Sequence, residues 1–172
     1  SGSLWITSTQ LVQAIVIPDD FSIGGDIFPS FITFNTYFIN ENHQLPVLST
    51  SAGDDLVTML NGNAGLRPHG TIEYFDTLGV RTDYGYGEYN KHGQDSWQFD
   101  QRSFDYIARD EMGYHDAINE KLLSLSDRDS FQRIIIRASG DDNYPGIDSS
   151  AHMRDMFIHK FANKNNMFIS VK

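Results

Sequence analysis

Apolar and β-branched residues come in short runs separated by turn-forming clusters, the pattern of a chain built mainly from strands. Residues 11–17 (LVQAIVI) and 31–39 (FITFNTYFI) are two such runs, and the Pro, Asp and Gly residues of 18–25 predict a hairpin turn between them. A polar connector, Asn40-Glu41-Asn42-His43-Gln44, leads to Pro46 and the extended run 47–50. Asp54 is placed to cap a short helix in which Leu56, Met59 and Leu60 share a face, and Asn61-Gly62 ends it. The turn Asp76-Thr77-Leu78-Gly79 between 71–75 and Val80-Arg81 predicts a second hairpin. Trp97 and Phe99 alternate on one parity while Phe104, Tyr106 and Ala108 alternate on the other, so Asp100-Gln101 marks a bulge or an interruption.

Near the C-terminus, Ile134, Ile135 and Ile136 form a continuous β-branched run that predicts a strand covered on both faces. The loop 139–146 (SGDDNYPG) stops it. From Ala151 the residues Met153, Met156, Phe157 and Phe161 fall at helical spacing, with Ser149 or Ser150 as cap. The whole pattern predicts an α+β fold, a mostly antiparallel sheet with few helices, preceded by a β hairpin.

The 172 residues suffice for one domain, or for a small module and part of a larger one. A hydrophobic share of 40%, with 12 Phe and 8 Tyr, argues for a packed core and against disorder. The formal charge of −10 argues against a phosphate-backbone partner, so no nucleic acid is expected. The absence of cysteine removes disulfides, thiolate catalysis and Cys-based zinc sites. No apolar run reaches the roughly 18 residues of a membrane span, and Ser1-Gly2-Ser3 opens no signal segment, which together with the abrupt end at Lys172 leads us to expect part of a longer polypeptide.

Chemistry has several candidate seats. Gly85, Gly87 and Gly93 lie in a polar stretch that could bring backbone close to a phosphate, although neither the Walker loop nor the dinucleotide fingerprint is matched and plain β-turns use the same residues. Asp141, Asp142, Asn143 and Asp148 offer oxygen ligands for a hard cation, but they also stabilise turns and miss the EF-hand spacing. His152 and His159 stand seven apart, which does not suit one zinc ion, and Asp155 with His159 reads as a modest helix contact. Ser96 and Ser103 lack the His and Asp order of a hydrolase triad.

The strand ending in Arg137-x-x-Gly140-x-Asp142, followed by a helix opening with Arg154-Asp155, resembles the spore-coat protein H (CotH) type of secreted protein kinase. Upstream, His92-Gly93-Gln94-Asp95-Ser96 is similar to the family's glycine-containing turn, and Phe99 to Phe104 to its Lys-Ser-bearing strand, with Arg102 where the family has lysine. The resemblance covers residues 45–172. It implies γ-phosphoryl transfer from ATP to protein hydroxyls with magnesium or manganese. Gly87, His92, Gly93, Arg102 and Arg154 would bind the nucleotide, and Arg137, Gly140, Asp142 and Asp155 would be structural. The two readings of Arg102 are this phosphate contact and an ion pair with Asp100, Asp105 or Asp110.

By the same resemblance the catalytic acids lie beyond Lys172, so this chain alone is expected to be inactive. Asp142 is expected to pair with Arg154. Residues 1–40, through Thr9, Val12, Ala14, Pro29-Ser30 and Thr36-Tyr37, resemble the last strands of the C-terminal β-sandwich module of chitobiases. An extracellular or cell-surface setting follows from the resemblance. The alternative is a noncatalytic surface or scaffold module that binds a protein or glycan through exposed aromatics.

Overall fold

In the computed structural model, which describes residues 3–19, 27–98, 100–122, 127–138, 153–165 and 167, the α+β expectation is met by two antiparallel sheets and two helices. The first sheet is the predicted hairpin, β1 (Gln10–Ala14) against β2 (Thr33–Tyr37). The second follows chain order: β3 (Val47–Ser51), β4 (His69–Phe75), β5 (Arg81–Lys91), β6 (Phe104–Ala108) and β7 (Arg133–Ile136). Every neighbouring pair is antiparallel, so the sheet is a meander whose contacts are mostly between successive segments.

The β4–β5 turn forms because Asp76 organises it: its Oδ1 accepts the N–H groups of Leu78 at 2.8 Å and Val80 at 2.9 Å, while Gly79 takes a φ of 75°. In β4, β5 and β6 the period of two sends Ile72, Tyr89, Tyr106 and Ala108 to one face, where Leu56, Met59, Trp97 and Ile118 complete the core. Leu56 and Met59 come from α1 (Gly53–Leu60), the helix that the sequence predicts. Its N-cap is Ala52 rather than Asp54, with no side-chain cap, and Asp54 and Asp55 instead occupy the first turn, where carboxylates suit the helix dipole.

Two further expectations are corrected, for the glycine stretch and for the isoleucine run. Residues 85–91 are strand, neither β-turn nor phosphate cradle in local form, because β5 runs on to Lys91. Gly70 and Gly87 face each other across β4 and β5, and a Cβ on either would sit 2.1 Å from a neighbouring carbonyl oxygen, that of Ser51 or Ile107. Glycine is required there for backbone packing. Trp97 belongs to a short 3-10 turn (Asp95–Gln98), which is how the chain changes parity before β6.

The isoleucine run forms β7 at the edge of the sheet, and Ile135 is exposed, so the strand is not covered on both faces. Helix α2 (Arg154–Lys164) exists, but Met153, Met156, Phe157 and Phe161 are all at least 50% exposed. Of its described side chains only Ala162 is buried. Met156, Phe157 and Ile158 are consecutive, so the apolar residues are not confined to one stripe.

The face of the sheet opposite the core receives the hairpin. Phe34 of β2 packs edge-on against Tyr84, with ring centroids 5.5 Å apart, and lies 6.2 Å from Tyr86. Glu73 is fully buried beneath it, 2.9 Å from Arg81, and accepts both the backbone N–H and the hydroxyl of Thr36. Arg81 also donates to the Phe34 carbonyl. The free edge of β2 is thus met by a carboxylate for its N–H and a guanidinium for its C=O, groups a further strand would otherwise supply.

Candidate functional site

The densest chemistry gathers where β5 ends and β6 begins. His92 follows β5, Gly93 turns with a φ of 80°, and the 3-10 turn carries Trp97 back toward Ser103. The Trp97 indole N–H bridges two carbonyls, those of His92 at 2.8 Å and Ser103 at 2.9 Å. The His92 N–H also donates to the Ser103 carbonyl. The turn and the strand that carry the family resemblance are therefore adjacent, fixed by a buried indole.

Two cations stand over the Trp97 ring at this corner of an otherwise acidic chain. Lys91 Nζ lies 5.2 Å and the Arg102 guanidinium 5.6 Å from the Trp97 ring centroid. His92 Nδ1 is 2.8 Å from Oδ1 of Asp105, close in distance but not aligned as a hydrogen bond. Asp105 is 1% exposed, and Arg133 donates to its Oδ2 through two guanidinium nitrogens, Nε at 2.9 Å. Alongside, Asn90 donates to Glu88 at 2.7 Å and Arg109 approaches Glu88 at 3.8 Å. Ser103 Oγ accepts the Ala138 N–H at 2.9 Å, tying β6 to the segment after β7.

Of the two readings of Arg102, the ion pair with a neighbouring carboxylate is not what its hydrogen bonds show. Arg102 lies just before β6, donates to the Trp97 carbonyl at 3.1 Å and reaches the Leu60 carbonyl at the end of α1. Orphan carbonyls at a helix C-terminus attract such a donor. None of Asp100, Asp105 and Asp110 is its partner in these bonds, and Asp105 belongs to Arg133 and His92. Its guanidinium braces helix, turn and strand.

Of the other candidates, Gly87 lies buried in mid-strand, paired on both sides, with its Cβ direction closed by Ile107. Arg154 opens α2 with an exposed side chain, and Arg137 follows β7. Gly140, Asp142, Asp141, Asn143, Asp148 and His152 lie outside the described residues, as does the side chain of Asp155. The expected Asp142 to Arg154 pair therefore lies outside them too. Among the described residues no group of three His, Asp or Glu side chains is arranged to hold a metal ion.

Sequence reasoning missed Arg133 and Glu73, and offered Asp105 only as a partner of Arg102. One signal was present: a carboxylate inside an apolar β run, as at FDYIA or TIEYF, must find a buried cation or donors. It missed also the pair Asp83 and Tyr106. Asp83 accepts the N–H groups of Tyr84 and Asn119, and the Tyr106 hydroxyl is buried with no partner, facing Gly85. Burial first, then the Asp83 carboxylate, raise the Tyr106 phenol above its ordinary range. No protein-family model, curated protein or solved structure matches this chain.

Proposed function

We propose that the chain is the phosphate-facing sheet of a CotH-type kinase-like domain in a secreted or surface protein, with ATP and magnesium or manganese as ligands and a protein hydroxyl as acceptor. The observation that carries this reading is the junction at Trp97: the His92-Gly93 turn and the Arg102-Ser103 strand end meet there, beside Lys91. A local group of cations is what an anionic ligand requires on a chain of net charge −10. Because Arg102 is engaged by two carbonyls, the phosphate contacts fall to Lys91 and His92, and Arg102 holds the corner in shape.

The test is a titration with ATP and magnesium of the intact polypeptide that carries this chain. Lys91→Ala is expected to weaken binding roughly ten- to a hundredfold, the worth of about 1.5–3 kcal/mol for a charged contact. No ATP affinity in the wild type, or none lost in the variant, would overturn the reading. The 172-residue chain alone is expected to incorporate no labelled phosphate, since Asp105 and Glu88, the carboxylates near His92, are already matched by Arg133 and Arg109.

A second reading, a noncatalytic module that binds a protein or glycan, is favoured by the exposed apolar side chains of α2. It takes precedence if the ATP titration is flat while the fold is intact.

A further inference from the structure

The two edges of the hairpin are treated differently. The outer edge of β2 is sealed by Glu73 and Arg81, as described above. Since Thr36 N–H and Phe34 C=O point to that edge, the alternation of an antiparallel pair makes Leu11 and Gln13, their register partners, turn their own N–H and C=O groups to the outer edge of β1. Among the described residues no strand pairs with that edge. The hairpin geometry continues past β1, with hydrogen bonds between Val16 and Ser30 in both directions, so the bare edge runs from Gln10 to about Val16.

Natural edges of this kind are blunted by charge, proline or a bulge. This one has none of them. The first charged side chain in the sequence is Asp19, and the first proline is Pro18, so the run Gln10-Leu11-Val12-Gln13-Ala14-Ile15-Val16 is uncharged and rich in β-branched residues. Val16 is 70% exposed, and Ile15 and Ile17 flank it in the open, with Phe28 exposed in the segment opposite.

We propose that the outer edge of β1 is a self-association surface, occupied by the β1 edge of a second copy in antiparallel pairing about a twofold axis. The charge distribution selects this occupant. A charged edge would call for an oppositely charged partner, whereas an uncharged one is complementary to itself and lets two copies of net charge −10 meet where neither carries charge. An antiparallel strand pair across a twofold is isologous, so the same donors and acceptors are satisfied on both sides. The result is a continuous four-stranded sheet, β2-β1-β1-β2, whose two outer edges are the ones already sealed by Glu73 and Arg81. This inference is independent of the nucleotide reading.

Light scattering on a size-exclusion column, run over a dilution series of the full chain, tests it. The expected mass is twice 19.5 kDa at high concentration and falls to 19.5 kDa on dilution. Amide exchange provides a second measurement on the unmodified protein: the Leu11 and Gln13 N–H groups are expected to be slowed at least tenfold in concentrated samples and released on dilution. Gln13→Pro removes an outward N–H without touching a β1–β2 hydrogen bond and is expected to give a monomer with an unchanged circular dichroism spectrum. Val12→Lys, which brings like charges together at the seam, is expected to do the same. A monomer at every concentration overturns the proposal and leaves the edge to a different strand. So does a dimer whose Leu11 and Gln13 amides stay unprotected, or one that survives Gln13→Pro.

Discussion

The five-stranded sheet and the two-stranded hairpin are built from the same β-branched and aromatic residue types, yet they satisfy their backbones by different means. In the sheet, β4, β5 and β6 each have a strand on either side, so their side chains are free to build a core on one face and a seat for the hairpin on the other. In the hairpin, β2 has one neighbour, and its second edge is completed by two side chains, Glu73 and Arg81, reaching across from the sheet. Where chain order supplies strands, carboxylates are dispensable. Where it does not, a buried ion pair takes the place of backbone.

The sharpest way to break this arrangement is Glu73→Ala. It leaves Arg81 beneath the hairpin without its carboxylate and the Thr36 N–H without an acceptor, at a cost of about 3–5 kcal/mol. The expected outcome is a markedly lower melting midpoint with early loss of the hairpin, read by amide exchange at Thr36. A midpoint equal to that of the wild type would mean that the hairpin is held by Phe34 alone. Gly87→Ala attacks the other region. Its methyl group would meet the Ile107 carbonyl at 2.1 Å, and overpacking of this kind costs about 3 kcal/mol. The loss is expected in the sheet, with the protection of Arg109, whose N–H donates to the Tyr86 carbonyl of β5, falling first, and a normal midpoint would show that β5 and β6 can separate without cost.

Arg102→Lys is a smaller change. One ammonium cannot reproduce a guanidinium that contacts both the Trp97 and Leu60 carbonyls, so a loss of about 1.5 kcal/mol is expected. If the lysine instead serves as the family's phosphate ligand, ATP affinity rises while stability falls, and calorimetry in both modes separates the two effects.

The smallest effect is expected at Tyr106→Phe, which removes a buried hydroxyl that has no partner and gains about 1 kcal/mol. It also alters the alkaline limb of stability. Burial raises the phenols of Tyr89 and Tyr106 above their ordinary value of 10.0, so the folded state keeps protons that the unfolded chain gives up. Their contribution is complete below pH 10.0 and is lost as pH rises through the folded values. Tyr106→Phe is expected to flatten that decline, and an unchanged alkaline titration of the melting midpoint would contradict it.

Much of the fold is legible in the chain because its signals are local. The turn at Asp76 and Gly79, the face of α1 and the break before Phe104 each depend on residues a few positions apart, and all three are present. What fails is whatever depends on a distant neighbour. Gly87 reads as a phosphate-approach or turn glycine because its reason for being glycine is a carbonyl twenty residues away, at Ile107. The run Ile134 to Ile136 reads as a central strand because its composition cannot say that β7 is an edge strand among the described residues. Arg102 has charged neighbours in sequence, but its partners are two carbonyls, one of them on α1. The candidate site was half legible: the His92-Gly93 turn and the Arg102-Ser103 strand end are brought together, while the partnership of Asp105 with Arg133 was invisible until register placed them on neighbouring strands.

The Trp97 indole that clamps turn to strand has an optical consequence. The chain has two tryptophans, Trp97 buried against the core face of the sheet and Trp5, 88% exposed, in the segment leading into β1. The first emits from an apolar, hydrogen-bonded setting, and the second emits to the red and is open to a soluble quencher. One spectrum therefore carries two clocks: a quencher silences the hairpin side and leaves the sheet to be followed alone. The order in which the two parts of the molecule come apart can be timed without a label.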